Sequence, residues 1–217
     1  MMGHLAVDMR AWLFRGLLGL VCVVAWAGLV SAQSDATIVG VEEDWELVIT
    51  TPDPDTAGPQ VICTLSPQGN MSGLYCTLEL NHQTVPYFSP GGLQFEMWFG
   101  EVMIAERRAP TQCVLSHVGE VICWTQKMEL ADGMLNFEIV DGSSTTWGSF
   151  GGQGYLKAVV PTWRESLNDY GPSVSVQNSG VNYGANRVQS LVLKRVRLIT
   201  ADGEVLEDTT PRTVHQQ

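Results

Sequence analysis

Three observations predict an all-β fold. Apolar and polar residues alternate with a period of two along most of the chain, turn-forming residues recur between the alternating runs, and no window of a dozen residues carries a helical stripe. About eleven or twelve short strands in one domain must each bury one face, so a single antiparallel two-sheet β-sandwich is the expected architecture. A closed barrel fits less well, because strand and loop lengths vary widely along the chain.

The first segment is not part of that fold. Residues 1–32 read as a secretory signal peptide: Arg10 and Arg15 make a positive start, residues 16–30 carry no charge, and Val30, Ser31 and Ala32 supply the small residues that precede cleavage. The apolar run falls short of the ~20 residues a spanning helix needs, so cleavage is expected rather than a retained membrane anchor. Asp8 is out of place in a positive leader, which leaves Met9 as an alternative start to Met1. The expected location is extracytoplasmic, whether secreted, periplasmic or cell-surface.

After the leader, residues 33–41 are expected to be flexible, 42–208 to form the sandwich and 209–217 to be a flexible tail. Strand runs are read at 45–50, 60–66 and 74–80. The next is the most regular: Leu93, Phe95, Met97 and Phe99 alternate with Gln94, Glu96 and Trp98. Further runs are 102–107, 112–116 and 121–127. Leu135, Phe137 and Ile139 then alternate with Asn136 and Glu138, and Leu156, Ala158 and Val160 with Tyr155 and Lys157. Residues 163–170 are read as one short helical turn, and 174–177 and 190–200 as strands. Turn signals such as Ser89-Pro90-Gly91-Gly92, Asp141-Gly142 and Asp202-Gly203 separate the runs.

Charge and cysteines narrow the function. The net charge is −11, and Lys194-Arg195-Val196-Arg197 is the one basic cluster, so nucleic-acid binding is not expected. Beyond Cys22 in the leader, four cysteines remain in a chain read as exported, which suggests disulfides with three possible connectivities. Local pairing is favoured. A hairpin would bring Cys63 to Cys76, and Cys113 and Cys123 flank a short loop. A zinc site has no C-x-x-C or His pair to support it. Structural calcium is conceivable on Asp53 and Asp55, or on Asp141 and Ser143, although neither stretch has the spacing of a known calcium loop. No cofactor is otherwise indicated.

The exported leader, the aromatic-dotted strands and the late Asn/Gly loop resemble jelly-roll sandwiches of the concanavalin-A-like kind and, more loosely, uncharacterised exported bacterial proteins of similar size. The resemblance spans residues 42–208. The E-x-D-x-x-E catalytic strand of one glycosidase branch is absent, so no functional residue is carried over. What the resemblance implies is a preference for carbohydrate ligands.

Two places could hold a ligand. On the strand at 93–99, Gln94, Glu96 and Trp98 project away from the apolar side chains, an aromatic plate beside an amide and a carboxylate. Asn136 and Glu138 have the matching parity, and would line the same surface if their strand shared that sheet. Trp98 packed in a second layer is the competing reading. The other place is 178–186, where Asn178, Asn182 and Asn186 recur every fourth residue and Tyr183 could stack. Successive turns explain that spacing equally well. The leading expectation is therefore a non-catalytic exported sandwich that binds a glycan or a cell-surface component through Gln94, Glu96, Trp98, Asn136, Glu138, Asn182 and Tyr183. The alternatives are a glycoside hydrolase using Glu96 and Glu138 as its carboxylate pair, and a structural envelope component that pairs through its sheet edges; the oligomeric state is left open.

Overall fold

Alternation along the chain becomes two antiparallel sheets that share one apolar core. The computed structural model describes residues 36–51, 53–55, 58–82, 92–109, 114–182 and 187–217. The leader, Cys113 and Tyr183 lie outside them. In chain order the elements are β1 (Ile38–Ile49), β2 (Val61–Leu65), β3 (Leu74–Leu80), β4 (Leu93–Phe99), β5 (Val102–Arg108), β6 (Val121–Ala131), β7 (Met134–Ser144), β8 (Gly148–Phe150) and β9 (Lys157–Pro161). A short helix α1 (Pro172–Asn178) follows, then β10 (Gly180–Val181), β11 (Val188–Thr200), β12 (Val205–Asp208) and β13 (Arg212–Gln216).

The larger sheet runs β12-β11-β1-β6-β7-β8, with β13 also on β11 and β9 also on β7. The smaller runs β10-β2-β3-β4-β5. Residues of one parity fill the space between them: Val41, Trp45, Leu47 and Ile49 of β1 and Leu135, Phe137 and Ile139 of β7 from one side, Cys76, Leu78, Phe95 and Met97 from the other. Burying a side chain of this size contributes about 1.5–3 kcal/mol, which is why the alternation sets the face of every strand. Gly92 admits the chain to β4 with φ +81, and a Cβ there would sit 2.3 Å from the Asn81 carbonyl oxygen. Only glycine suits that entry.

Several expectations are corrected. The region expected to be flexible at 33–41 contains the start of β1, which begins at Ile38 because it is flanked by a strand on each side, β11 and β6. The expected flexible tail at 209–217 contains β13, which pairs with β11 from Ser190↔Gln216 to Leu193↔Arg212. Residues 174–177 are helical rather than extended, since Pro172 enters the first turn with a φ already suited to helix and Val174 and Ser175 are buried. Residues 163–170 form no helix. The Asp141-Gly142 signal does not end β7; Asp141 adopts φ 50 where the register with β6 shifts, and the strand continues to Ser144. Of the run at 112–116, Val114 and Leu115 form a turn and Leu115 has φ 52.

The expected Cys63–Cys76 disulfide is not formed, and the Cys113–Cys123 pairing involves a residue outside those described. β2 and β3 do pair, but the register sets Cys63 opposite Leu78 and Cys76 opposite Leu65, so the two cysteines are diagonal neighbours. Diagonal positions lie about 7–8 Å apart, beyond comfortable disulfide reach. Both are free thiols buried in the core, and Cys123 is free and half-buried. Burial, reinforced by Glu43, holds the Cys63 and Cys76 thiols well above their ordinary pKa.

One carboxylate lies wholly inside. The triplet Glu42-Glu43-Asp44 reads as a solvated edge, yet β1 is central to its sheet and alternation turns Glu43 inward, fully buried. Trp45 Nε1 donates to Glu43 Oε2 at 3.1 Å and the Tyr170 hydroxyl donates to Oε1 at 2.6 Å. On β6, Trp124 stacks on Trp45 with ring centres 6.4 Å apart, and its Nε1 reaches Gln126 Oε1 at 3.5 Å. Gln126, opposite Glu43, donates across the core to the Cys63 carbonyl at 3.3 Å.

Two predictions follow from this core. Burial raises the Glu43 pKa to about 7, against an ordinary 4.5. Its proton-linked contribution to stability is therefore fully present below pH 4.5 and is lost as pH climbs through 7. Glu43→Gln should remove about 3 kcal/mol of that loss between pH 5 and 8, measured by urea unfolding at each pH. Iodoacetamide should leave Cys63 and Cys76 unmodified in the native protein and alkylate both in denaturant without reductant, as mass mapping would show; a disulfide would block both in either state.

Candidate functional site

The face of the smaller sheet that points away from the core carries a continuous set of polar and aromatic residues. β3 alternates Cys76, Leu78 and Leu80 inward with Tyr75, Thr77 and Glu79 outward; β4 does the same with Gln94, Glu96 and Trp98. Pairing aligns these into rows. Tyr75 is opposite Trp98, Thr77 opposite Glu96, and Glu79 opposite Gln94. On β5, Glu106 extends the second row and Arg108 the third.

The side chains are tied to one another. Gln94 Nε2 donates to Glu96 Oε1, and Trp98 Nε1 donates to Glu96 Oε2 at 3.0 Å, so Glu96 holds its neighbours on both sides. The Trp98 and Tyr75 rings lie 6.4 Å apart and within 6° of parallel, and the Tyr75 hydroxyl is fixed by the Gly100 carbonyl at 3.0 Å. Arg108 Nε pairs with Glu106 Oε1 at 2.6 Å. Burial, with the charges of Glu96 and Glu106, pushes Glu79 up to about 8, so it carries its proton at neutral pH. Thr77 Oγ1 and Gln94 Oε1 are buried without a hydrogen-bond partner. This face thus combines a stacked aromatic pair with a buried polar row beside it.

Of the residues expected to bind, the structure joins Gln94, Glu96 and Trp98 and separates Asn136, Glu138 and Asn182 from them, while Tyr183 lies outside the described residues. Asn136 and Glu138 have the expected parity, outward from Leu135, Phe137 and Ile139, but β7 belongs to the other sheet. They therefore look out from the opposite side of the sandwich. Asn136 donates to the Glu129 carbonyl at 3.4 Å and Glu138 pairs with Lys157 at 3.3 Å. The pair Glu96 and Glu138 does not meet across a cleft. Asn182 follows β10, at the edge of the smaller sheet remote from β5, where its N–H bonds the Gln60 carbonyl at 3.0 Å. Asn178 caps its own helix turn through Val174 O at 2.8 Å, so the start of the 178–186 stretch is used in chain geometry.

Sequence reasoning missed Tyr75, Thr77, Glu79, Glu106 and Arg108. The signal for the first three was the alternation within 74–80; for the others it was the tight connection at Gly100 and Glu101, which sets β5 against β4. Asp53 accepts the Asp55 N–H at 3.1 Å in a local turn, and among the described residues no group of three His, Cys, Asp or Glu side chains gathers as a metal set. Lys194, Arg195 and Arg197 are spent on the acids of β1: Lys194 on Glu46 at 3.3 Å, Arg195 on Asp44 at 2.5 Å and Arg197 on Glu42 at 2.9 Å.

No protein-family model matches the chain, and no curated protein resembles it in sequence.

Thr77 offers a check on this geometry. Its hydroxyl is buried and unpaired, so Thr77→Val should leave stability unchanged or raise it by up to about 1 kcal/mol in denaturant unfolding. A loss of more than about 2 kcal/mol would show that the hydroxyl has a partner.

Proposed function

We propose that the protein is an exported, non-catalytic β-sandwich of the concanavalin-A-like kind that binds a glycan through the outer face of its smaller sheet. The observation that carries the reading is the parallel, stacked Tyr75–Trp98 pair beside the Glu96–Gln94 hydrogen-bonded row. Sugar rings present C–H faces to aromatic plates and hydroxyls to carboxylates and guanidinium groups; here the half-buried Tyr75, Trp98 and Glu106 and the exposed Arg108 supply these, over the buried Gln94 and Glu96. Asn136, Glu138 and Asn182 are no part of the site in this reading.

Glu79 favours a second reading, glycoside hydrolysis. A carboxyl that keeps its proton at neutral pH beside other carboxyl groups is what a general acid requires, and a spacing of about 5 Å to its partner would give retention of configuration. New reducing ends from a polysaccharide panel, lost in Glu79→Gln, would establish it; no release leaves binding alone.

For the binding reading, a glycan array identifies the ligand and calorimetry measures it. Trp98→Ala and Tyr75→Ala should each weaken affinity at least tenfold with the thermal midpoint monitored, whereas Glu138→Gln on the opposite face should not change it. Retention of full affinity by Trp98→Ala, or no glycan binding at all, would defeat the proposal.

A further inference from the structure

The smaller sheet ends at β5, which bonds to β4 along one side. Among the described residues no strand pairs its other side, so alternate N–H and C=O groups there face outward. The neighbouring apolar side chains are unusually open: Val102 is 62% exposed, Phe99 61% and Ile104 46%, while Trp163, just past β9, is fully exposed. With Leu74 and Val160 they line a groove of about 500 Å³ where the rims of the two sheets approach each other. Natural sheets cover or charge such edges, and here the charges gather at one end, in Glu106, Arg107 and Arg108.

We propose that this groove receives an extended segment of a partner polypeptide, which adds to the smaller sheet as a further strand beside β5. An outward row of backbone donors and acceptors matches the repeat of another extended chain, which neither a lipid tail nor a sugar reproduces. Every second side chain of the incoming strand enters the groove and is apolar. Glu106 is engaged by Arg108, and the exposed Arg107, whose Nη1 donates to the Glu106 carbonyl at 2.7 Å, keeps its charge unpaired by an acid among the described residues at that end, so an acidic residue of the partner belongs there. A second copy of β5 is a poor occupant. The register shift against β4 inserts Ile104 as an extra residue and breaks the in-and-out alternation midway, so two copies of β5 meet with their bulges facing each other and cannot pair evenly along their length.

The test uses the whole protein and three synthetic octapeptides: one alternating valine and threonine with two aspartates at one end, the same with lysines in place of aspartates, and a scrambled form. The aspartate peptide should bind in the micromolar range, at least tenfold tighter than the scrambled one. Val102→Asp, at an exposed position, should remove the binding, Arg107→Glu should reverse the preference to the lysine peptide, and Trp98→Ala should leave it intact. Equal binding of alternating and scrambled peptides, binding unaffected by Val102→Asp, capture of phospholipid vesicles in place of peptide, or a dimer that Val102→Asp dissociates would each overturn the proposal.

Discussion

The sandwich depends on a polar layer in its middle. Trp45 and Trp124 stack across β1 and β6, and beside them Glu43 and Gln126 take the two indole N–H groups. A one-residue slip of either strand would turn that strand's tryptophan to solvent, along with the Glu43 or Gln126 two residues away, and undo the stack. The register of the central pair is thereby held by burial, since the stacked indoles and the facing Glu43 and Gln126 come together inside only in this pairing. Tyr170 reaches the same carboxylate from the segment before α1, and Gln126 reaches the backbone of β2. Glu43 therefore ties β1 to the connection before the helix, and Gln126 ties β6 to the facing sheet.

The outer face of that larger sheet is organised by charge. Glu42, Asp44 and Glu46 of β1 face Arg197, Arg195 and Lys194 of β11, and Thr125 of β6 donates to Asp44 at 2.7 Å. Exposed pairs of this kind contribute only about 0.2–1 kcal/mol each, so their larger effect is on pairing choice: they mark β11 as the partner of β1. This also explains why a basic cluster in an acidic chain presents no basic patch.

Period two was sufficient to assign most strands and their faces, because core burial decides which side chain points where. It could not reveal which sheet a strand joins. Asn136 and Glu138 were read with the correct parity yet belong to the far side of the molecule, since sheet membership is decided by contacts between residues far apart in sequence. The half of the candidate face that lies on β4 was visible in one strand; Glu79 and Glu106 join it only through the pairing with β3 and β5. Glu43 was hidden for a related reason: an acidic triplet looks solvated unless the strand carrying it is known to be central. The tail was misread because β11, thirteen residues long, is long enough to hold β12 and β13 one after the other along the same edge.

The position of β1 has a consequence for how the chain is made. This strand is among the first described parts of the chain to leave the ribosome, but one of its neighbours, β11, lies some 150 residues later. Until β11 emerges, β1 can close only its side toward β6, leaving the row of acids on its outer face unanswered. A nascent chain thus cannot close the larger sheet around β1 until some 150 further residues have been made.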